Sequence, residues 1–288
     1  MIIQSERVWL YGSFFPAHIT VENGQIIDIS LGLIADVDYD YGLRRIVPGF
    51  IDMHAHGGWN YDTNEDDAEG LHRWASHLPE EGVTAFCPTT VTDDHPVLLA
   101  ALRNIASVMR HPPVGAEILG IHLEGPFLNP LYRGAQPERA IRQTSLADFA
   151  AYEQAAEGNI IAITLAPEMD ANHQLIRYCK ERNITVSMGH SDASFEQALE
   201  AMSNGAGSVT HVYNGMAKYI NREPGLLGAA WRLDGLYGEL IADGIFVSLI
   251  SAANLFRVKN DDYLIMISDS MKAKGEAPGR YMFGGEPM

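Results

Sequence analysis

The segment Asp52-Met53-His54-Ala55-His56-Gly57-Gly58 places two imidazoles two residues apart. In an extended strand, positions i and i+2 share a face, so His54 and His56 can point into one space. That spacing suits a shared divalent metal with neutral imidazoles as ligands, and the glycines let the backbone leave sharply. Taken alone, the pair reads as readily as two unrelated polar residues at a strand end. Glu124, in His122-Leu123-Glu124-Gly125-Pro126, closes an apolar run where a carboxylate needs a cationic partner. A metal would serve, but an arginine or a helix end would too, and for Glu124 by itself the plainer partner is favoured. His122, two residues earlier, reads as a packed core histidine or an outer-layer support. His190 follows Ile184–Met188, His211 closes Val209-Thr210-His211, and Asp269 follows Leu264–Ser268. Each of these separately could be a satisfied polar group at a strand end.

The elements that would position them are short apolar runs alternating with longer helical stretches. Strands are predicted at Ile46–Met53, Val83–Cys87, Ile118–Leu123, Ile160–Leu165, Ile184–Met188, Ser208–His211, Tyr237–Ala242 and Leu264–Ser268. Helices are predicted at Asp66–Glu80, Pro96–Arg110, Ser145–Ala156, Ala171–Arg182 and Ser194–Gly205, the last with Ser191 or Asp192 as a candidate cap. Right-handed crossovers of this length favour an α/β fold of the closed (β/α)8 TIM-like barrel type over a doubly wound sheet. Its C-terminal face is where such barrels assemble active sites, and the residues above fall there on strands one, three, five, six and eight. Four of the 11 histidines at such positions are hard to reconcile with independent packing roles. Residues 1–47 instead read as the N-terminal part of a small β domain, with Asn23-Gly24 as a hairpin turn. Residues 48–273 form the expected catalytic barrel and 274–288 a hairpin returning toward the small β domain.

Composition narrows the function classes. The chain has 288 residues, 47% hydrophobic and 20% charged, which suits a packed barrel and excludes disordered, collagen-like and disulfide-scaffold proteins. No apolar run approaches the roughly 20 residues that span a bilayer, and the N-terminus lacks the pattern of a secretory signal. Two cysteines inside element-like segments point to a reducing, cytoplasmic setting. With 20 Lys and Arg against 37 Asp and Glu, the net charge of -17 argues against nucleic acid as a partner. No basic amphipathic stretch suggests a membrane surface. An anionic small substrate would need a local cationic pocket working against the global field.

The strings Val47–Gly58, His122–Phe127, Gly189–Ala193 and Ser268–Met271, together with Arg222-Glu223-Pro224-Gly225, resemble the amidohydrolase superfamily and, within it, the N-acetylglucosamine-6-phosphate deacetylases. The resemblance implies that Glu124, His190 and His211 ligate a principal metal, with His54 and His56 completing an adjacent site bridged by Glu124. One or two divalent ions (Zn, Fe, Mn or Co) fit such ligands. It further implies hydrolysis of the N-acetyl amide by a metal-activated water, with Asp269 as general base and then acid. Arg222 would bind the phosphate of an amino-sugar phosphate, and Asn214 and Gly215 would supply further donors; the spacing of Arg222 and Glu223 alone favours an ordinary surface ion pair. A homodimer is also implied. Two positions depart from the family: Phe246 and Gln136 stand where many members carry histidine, at positions expected to contact substrate. Members also continue for about 90 residues beyond this chain's end, so strand eight lacks its helix and apolar strand surface is expected to be exposed. The alternative is a truncated or impaired homologue that binds metal or sugar phosphate without efficient turnover.

Overall fold

A computed structural model describes residues 1–287, which divide into two units, Met1–Phe50 and a second beginning at Ile51. In the first, Ile2–Leu10, Ser13–Glu22 and Gln25–Leu31 form an antiparallel meander, and Tyr39–Asp40 and Arg45–Ile46 add to the first strand in parallel. The turn at Asn23-Gly24 takes positive φ at both residues, as a tight hairpin of this twist requires. Alternation puts Val8, Ala17 and Ile19 into a small core, while Ile26, Ile27, Ile29 and Leu31 of the third strand remain exposed.

The second unit is a nearly closed eight-stranded parallel barrel. Its strands are Phe50–Ala55, Val83–Thr90, Ile121–Glu124, Ile160–Leu165, Thr185–Met188, Ala206–Val209, Tyr237–Ile241 and Leu264–Ile267, each paired with the next, with Glu117–Ile118 added beside the second. No regular ladder joins strand eight to strand one among the described residues. Their seam is held by single bonds: Ser268 Oγ donates to Asp52 Oδ2 at 2.5 Å, Asp269 N to His54 O at 2.9 Å, and His56 N to Ser270 O at 2.7 Å. Asp52 is buried at this seam, so Ser268 supplies the partner that a buried carboxylate requires.

Helices cover the barrel because their apolar residues recur every three or four positions. His95–Arg110, for example, buries Leu98, Ala101, Leu102 and Ile105. Asp67 and Ser145 cap their helices by accepting from backbone N–H groups. Ser194 caps Phe195–Asn204 in a reciprocal capping box with Gln197, a role expected of Ser191 or Asp192. Those two residues instead bond to Glu168. The core between strands and helices centres on Trp74, which meets Phe86 edge-on, together with Tyr61, Phe127, Phe149 and Tyr152. Two helices were not expected, Gly225–Arg232 and Leu249–Val258. The first carries two glycines and five apolar residues in succession, which masks helical periodicity.

No helix follows strand eight among the described residues, and Ile51 and Met266 are 53% and 41% exposed. Among the described residues no helix is long and apolar enough to cross a membrane. Met282–Phe283 pairs with Glu286–Pro287 in a hairpin around Gly284-Gly285; Met288 lies outside the described residues. It does not extend the small sheet. Its strands of two residues pair with each other, and the hairpin belongs to the barrel unit. Phe283 turns inward to pack on His56 with ring centroids 5.3 Å apart, and Arg139 donates to Gly284 O at 3.2 Å. Burying one aromatic ring there outweighs the few ladder bonds that so short a hairpin could add to a sheet edge.

Candidate metal centre

The barrel brings six of the residues expected from sequence into one place. His54 lies near the end of strand one and His56 just beyond it, Glu124 ends strand three, and His190, His211 and Asp269 lie just beyond strands five, six and eight. The last three adopt positive φ, at 48°, 28° and 50°. Left-handed backbone costs a residue with a Cβ about 1–3 kcal/mol, and here the turn away from the strand holds the side chain at the barrel mouth.

Glu124 is the hub. Its Oε1 lies 3.2 Å from Nε2 of both His190 and His211 and 3.5 Å from that of His54, and its Oε2 is 3.3 Å from His56 Nε2. Asp269 Oδ1 faces the other pair, 3.2 Å from His56 and 3.6 Å from His54. The donor atoms fall into two sets, Glu124–His190–His211 and His54–His56–Asp269, each within 4.8 Å.

All four rings are fixed from behind. Nδ1 of His56, His190 and His211 donates to the carbonyls of Thr89, Tyr132 and Asn214 at 2.9, 2.9 and 3.1 Å, and that of His54 to Glu239 Oε2 at 3.0 Å. A neutral ring that donates from Nδ1 presents a lone pair at Nε2. These Nε2 atoms face one another, His54 to His56 at 3.2 Å and His190 to His211 at 3.1 Å. Two lone pairs at that distance repel, and a shared cation resolves the repulsion. Nitrogen and oxygen donors in this arrangement fit a divalent transition metal.

The site's carboxylates and imidazoles shift one another's titration. Burial alone would lower His54, His56 and His211, but the surrounding carboxylates override it. Glu124 and Asp269 hold His54 well above the ordinary imidazole range and raise His56 to about 9, and Glu124 raises His211. Burial would likewise raise Glu124 and Asp269, yet the imidazoles hold both well below the usual carboxylate range. His122 is different. Its Nε2 turns to Thr164 Oγ1 at 2.8 Å and its Nδ1 to Met53 O, so it is a packed histidine under His54; burial and the charge of His54 lower it to about 4.

A cavity of about 240 Å³ opens on this centre, lined by Gln136, Asn214, Gly215, Phe246 and Phe283. Gln136 accepts from Thr92 N at 2.8 Å, which turns its amide nitrogen onto Glu124 Oε2. Asn214 Nδ2 is buried without a partner, a free donor. Gly215 proves to be a matter of space. Its φ is +58°, and a Cβ there would sit 2.9 Å from His190 Nδ1 and 3.1 Å from His211 Cε1. Phe246 is 69% exposed at the rim. Arg222 lines a second, larger cavity of about 620 Å³ with Lys218 and Tyr132. It makes no ion pair with Glu223 among the described residues, and the structure does not bring it into the cavity that holds the metal ligands.

Two residues escaped the sequence reading. Glu239, in mid-strand, and Phe283, in the terminal hairpin, both touch histidines of this cluster. A lone charge in Tyr237-Gly238-Glu239-Leu240-Ile241 was the available signal for Glu239.

Residues 45–275 match the amidohydrolase family. The N-acetylglucosamine-6-phosphate deacetylase of Bacillus subtilis is 44% identical over 244 residues, covering 84% of this chain and 62% of that protein. That of Lysinibacillus sphaericus is 36% identical and covers 92% and 69%. An N-acetylgalactosamine-6-phosphate deacetylase of Escherichia coli O157:H7 is also 36% identical, covering 84% and 64%. The chain thus spans about two thirds of the length of these curated relatives. Among solved structures, an N-acetyl-D-glucosamine-6-phosphate deacetylase of Mycobacterium smegmatis superposes with a TM-score of 0.91 at 27% identity, over 100% of this chain and 75% of that one. Family match, relatives and fold agree with the geometry of the centre: the chain belongs to the amidohydrolase family, in the branch of the N-acetylglucosamine-6-phosphate deacetylases.

Proposed function

We propose that this chain hydrolyses the N-acetyl amide of N-acetylglucosamine 6-phosphate to glucosamine 6-phosphate and acetate. The observation that carries the reading is Glu124 held among four imidazole Nε2 atoms with Asp269 across from it, all at the mouth of one barrel. Glu124, His190 and His211 would hold a principal divalent ion, and His54 and His56 a second with Glu124 between. When bound, such an ion would polarise a carbonyl and lower the pKa of a coordinated water to about 7.

The remaining work falls to the chain's own groups. Asp269 is ionised and can take the water proton at Oδ1 as the oxygen attacks the carbonyl carbon. It returns that proton to the nitrogen as the C–N bond breaks. Gln136 fixes Glu124, and the free Nδ2 of Asn214 is the donor available to a substrate oxygen. Phe283 and Phe246 are the aromatic surfaces on the same cavity. Arg222 and Lys218 are the cations nearest in sequence to Asn214-Gly215 and are the candidates for a phosphate.

The test is acetate release from N-acetylglucosamine 6-phosphate and from its galactosamine epimer, with metal content measured on the same sample. Release from the first substrate supports the reading, and preference for the epimer would redirect it within the family. A metal-loaded protein that releases acetate from neither would refute it.

A further inference from the structure

The four facing imidazoles differ at their far nitrogens. Three donate Nδ1–H to neutral backbone carbonyls, and His54 alone donates to a carboxylate. That carboxylate, Glu239, lies in mid-strand with only 5% of its surface exposed. Its other oxygen is 3.4 Å from Ser187 Oγ, and no lysine or arginine lies within ion-pair distance among the described residues. Glu239 does not line the cavity that opens on the centre. It lines a separate one of about 200 Å³ with Met53, His122 and Ser187. It therefore reaches the centre only through His54.

A carbonyl can orient an imidazole, but a carboxylate also adds charge and makes the far nitrogen a stronger donor. Glu124, Asp269 and Glu239 bring three negative charges to the centre with no permanent cation beside them. One divalent ion leaves that set at minus one, whereas two leave it at plus one, which an anionic oxygen species or substrate can neutralise. We infer that Glu239 is a positioning residue for a second metal ion: it locks and strengthens His54 as a ligand, and it makes the centre binuclear. The inference rests on the reading that the cage holds metal, and it adds the residue that sets the number of ions.

The test is a titration of the chelator-stripped 288-residue chain with Zn²⁺ against a competing chromophoric chelator, with bound metal counted by elemental analysis. The wild-type chain is expected to take two ions. Glu239→Gln keeps the shape and an acceptor for Nδ1–H but removes the charge, and it should weaken the second ion about 10–100-fold while leaving the first within about threefold. In a His54→Ala background the same change should add no further loss, because Glu239 acts through that ring. A purely structural role would not divide the two ions in this way. If Glu239→Gln does not fold, Glu239→Asp keeps the charge and withdraws it from His54; it should also weaken the second ion selectively. Binding of one ion by the wild type, undiminished binding of both by the variants, or equal weakening of both would overturn the inference. A chain that takes two ions and releases no acetate would refute the deacetylase reading and leave this one standing.

Discussion

Asp269→Asn removes a proton acceptor and changes little else. Asp269 Oδ1 sits 3.2 Å from His56 Nε2 and 3.6 Å from His54 Nε2, and its backbone N–H is tied to His54 O at 2.9 Å. Burial would raise its carboxyl, but the two imidazoles outweigh burial and hold it below the usual carboxylate range. An amide in the same place still offers an oxygen to the histidines but cannot take a proton. General acid–base catalysis contributes about 10²–10⁴ in rate, which at 1.36 kcal/mol per decade is about 3–5 kcal/mol of barrier. Both the abstraction and the return of the proton pass through this one group, so the loss should fall in the upper half: kcat lower by about 10³–10⁴ with KM little changed. The assay is acetate release at saturating metal, with ion content determined on the same aliquot. Activity within about tenfold of wild type, with metal retained, would refute the role. A variant that loses metal in step with activity would make Asp269 a ligand of the His54–His56 set instead of the base.

Three further outcomes are expected. Gly215→Ala forces a Cβ to within 2.9 Å of His190 Nδ1 at a φ of +58°, so it should displace His190 and His211 and lower affinity for the principal ion at least about tenfold, read by chelator competition. Phe246→His places a hydrogen-bond donor at the exposed cavity rim and should lower KM for the sugar phosphate while leaving kcat nearly unchanged; unaltered kinetics would show that the position does not contact substrate. In the metal-free chain His56 is raised from 6.5 to about 9, so its stabilisation is complete below pH 6.5 and is lost as pH climbs to about 9. Urea unfolding should show lower stability at the upper end, whereas metal affinity should rise over the same interval as the candidate ligands shed protons.

The clustering was legible because period-two geometry and strand ends are local properties. The places of His54, His56, Glu124, His190 and His211 could be read from where short apolar runs stop, while the resemblance supplied their expected role as ligands. Helices with regular apolar stripes, such as His95–Arg110, are legible for the same reason. What sequence hid depended on distant neighbours. Glu239 lies 185 residues from His54, and nothing local marks which face of its strand meets a ligand. Gly215 looked like a backbone donor, and only the packed rings behind it reveal a limit on volume. The packing of the terminal hairpin was hidden in the same way, because Phe283 meets His56, a residue distant in sequence. Gly225–Arg232 was hidden by the opposite problem, since an element buried on nearly all sides has no polar face to give a period.

The join between strands one and eight has a mechanical consequence. A closed cylinder that breathes opens first where its staves are least continuously bonded, and here that joint is spanned by Asp52, Ser268, His54 and Asp269. Each opening would pull Asp269 from His54 and His56, and anything that bridges those groups would act as a latch on the whole cylinder. Amide protons of His56 and Asp269 should then exchange slowly when the latch is closed and quickly when it is stripped. Exchange at two backbone positions would thus report the occupancy of the centre without any substrate present.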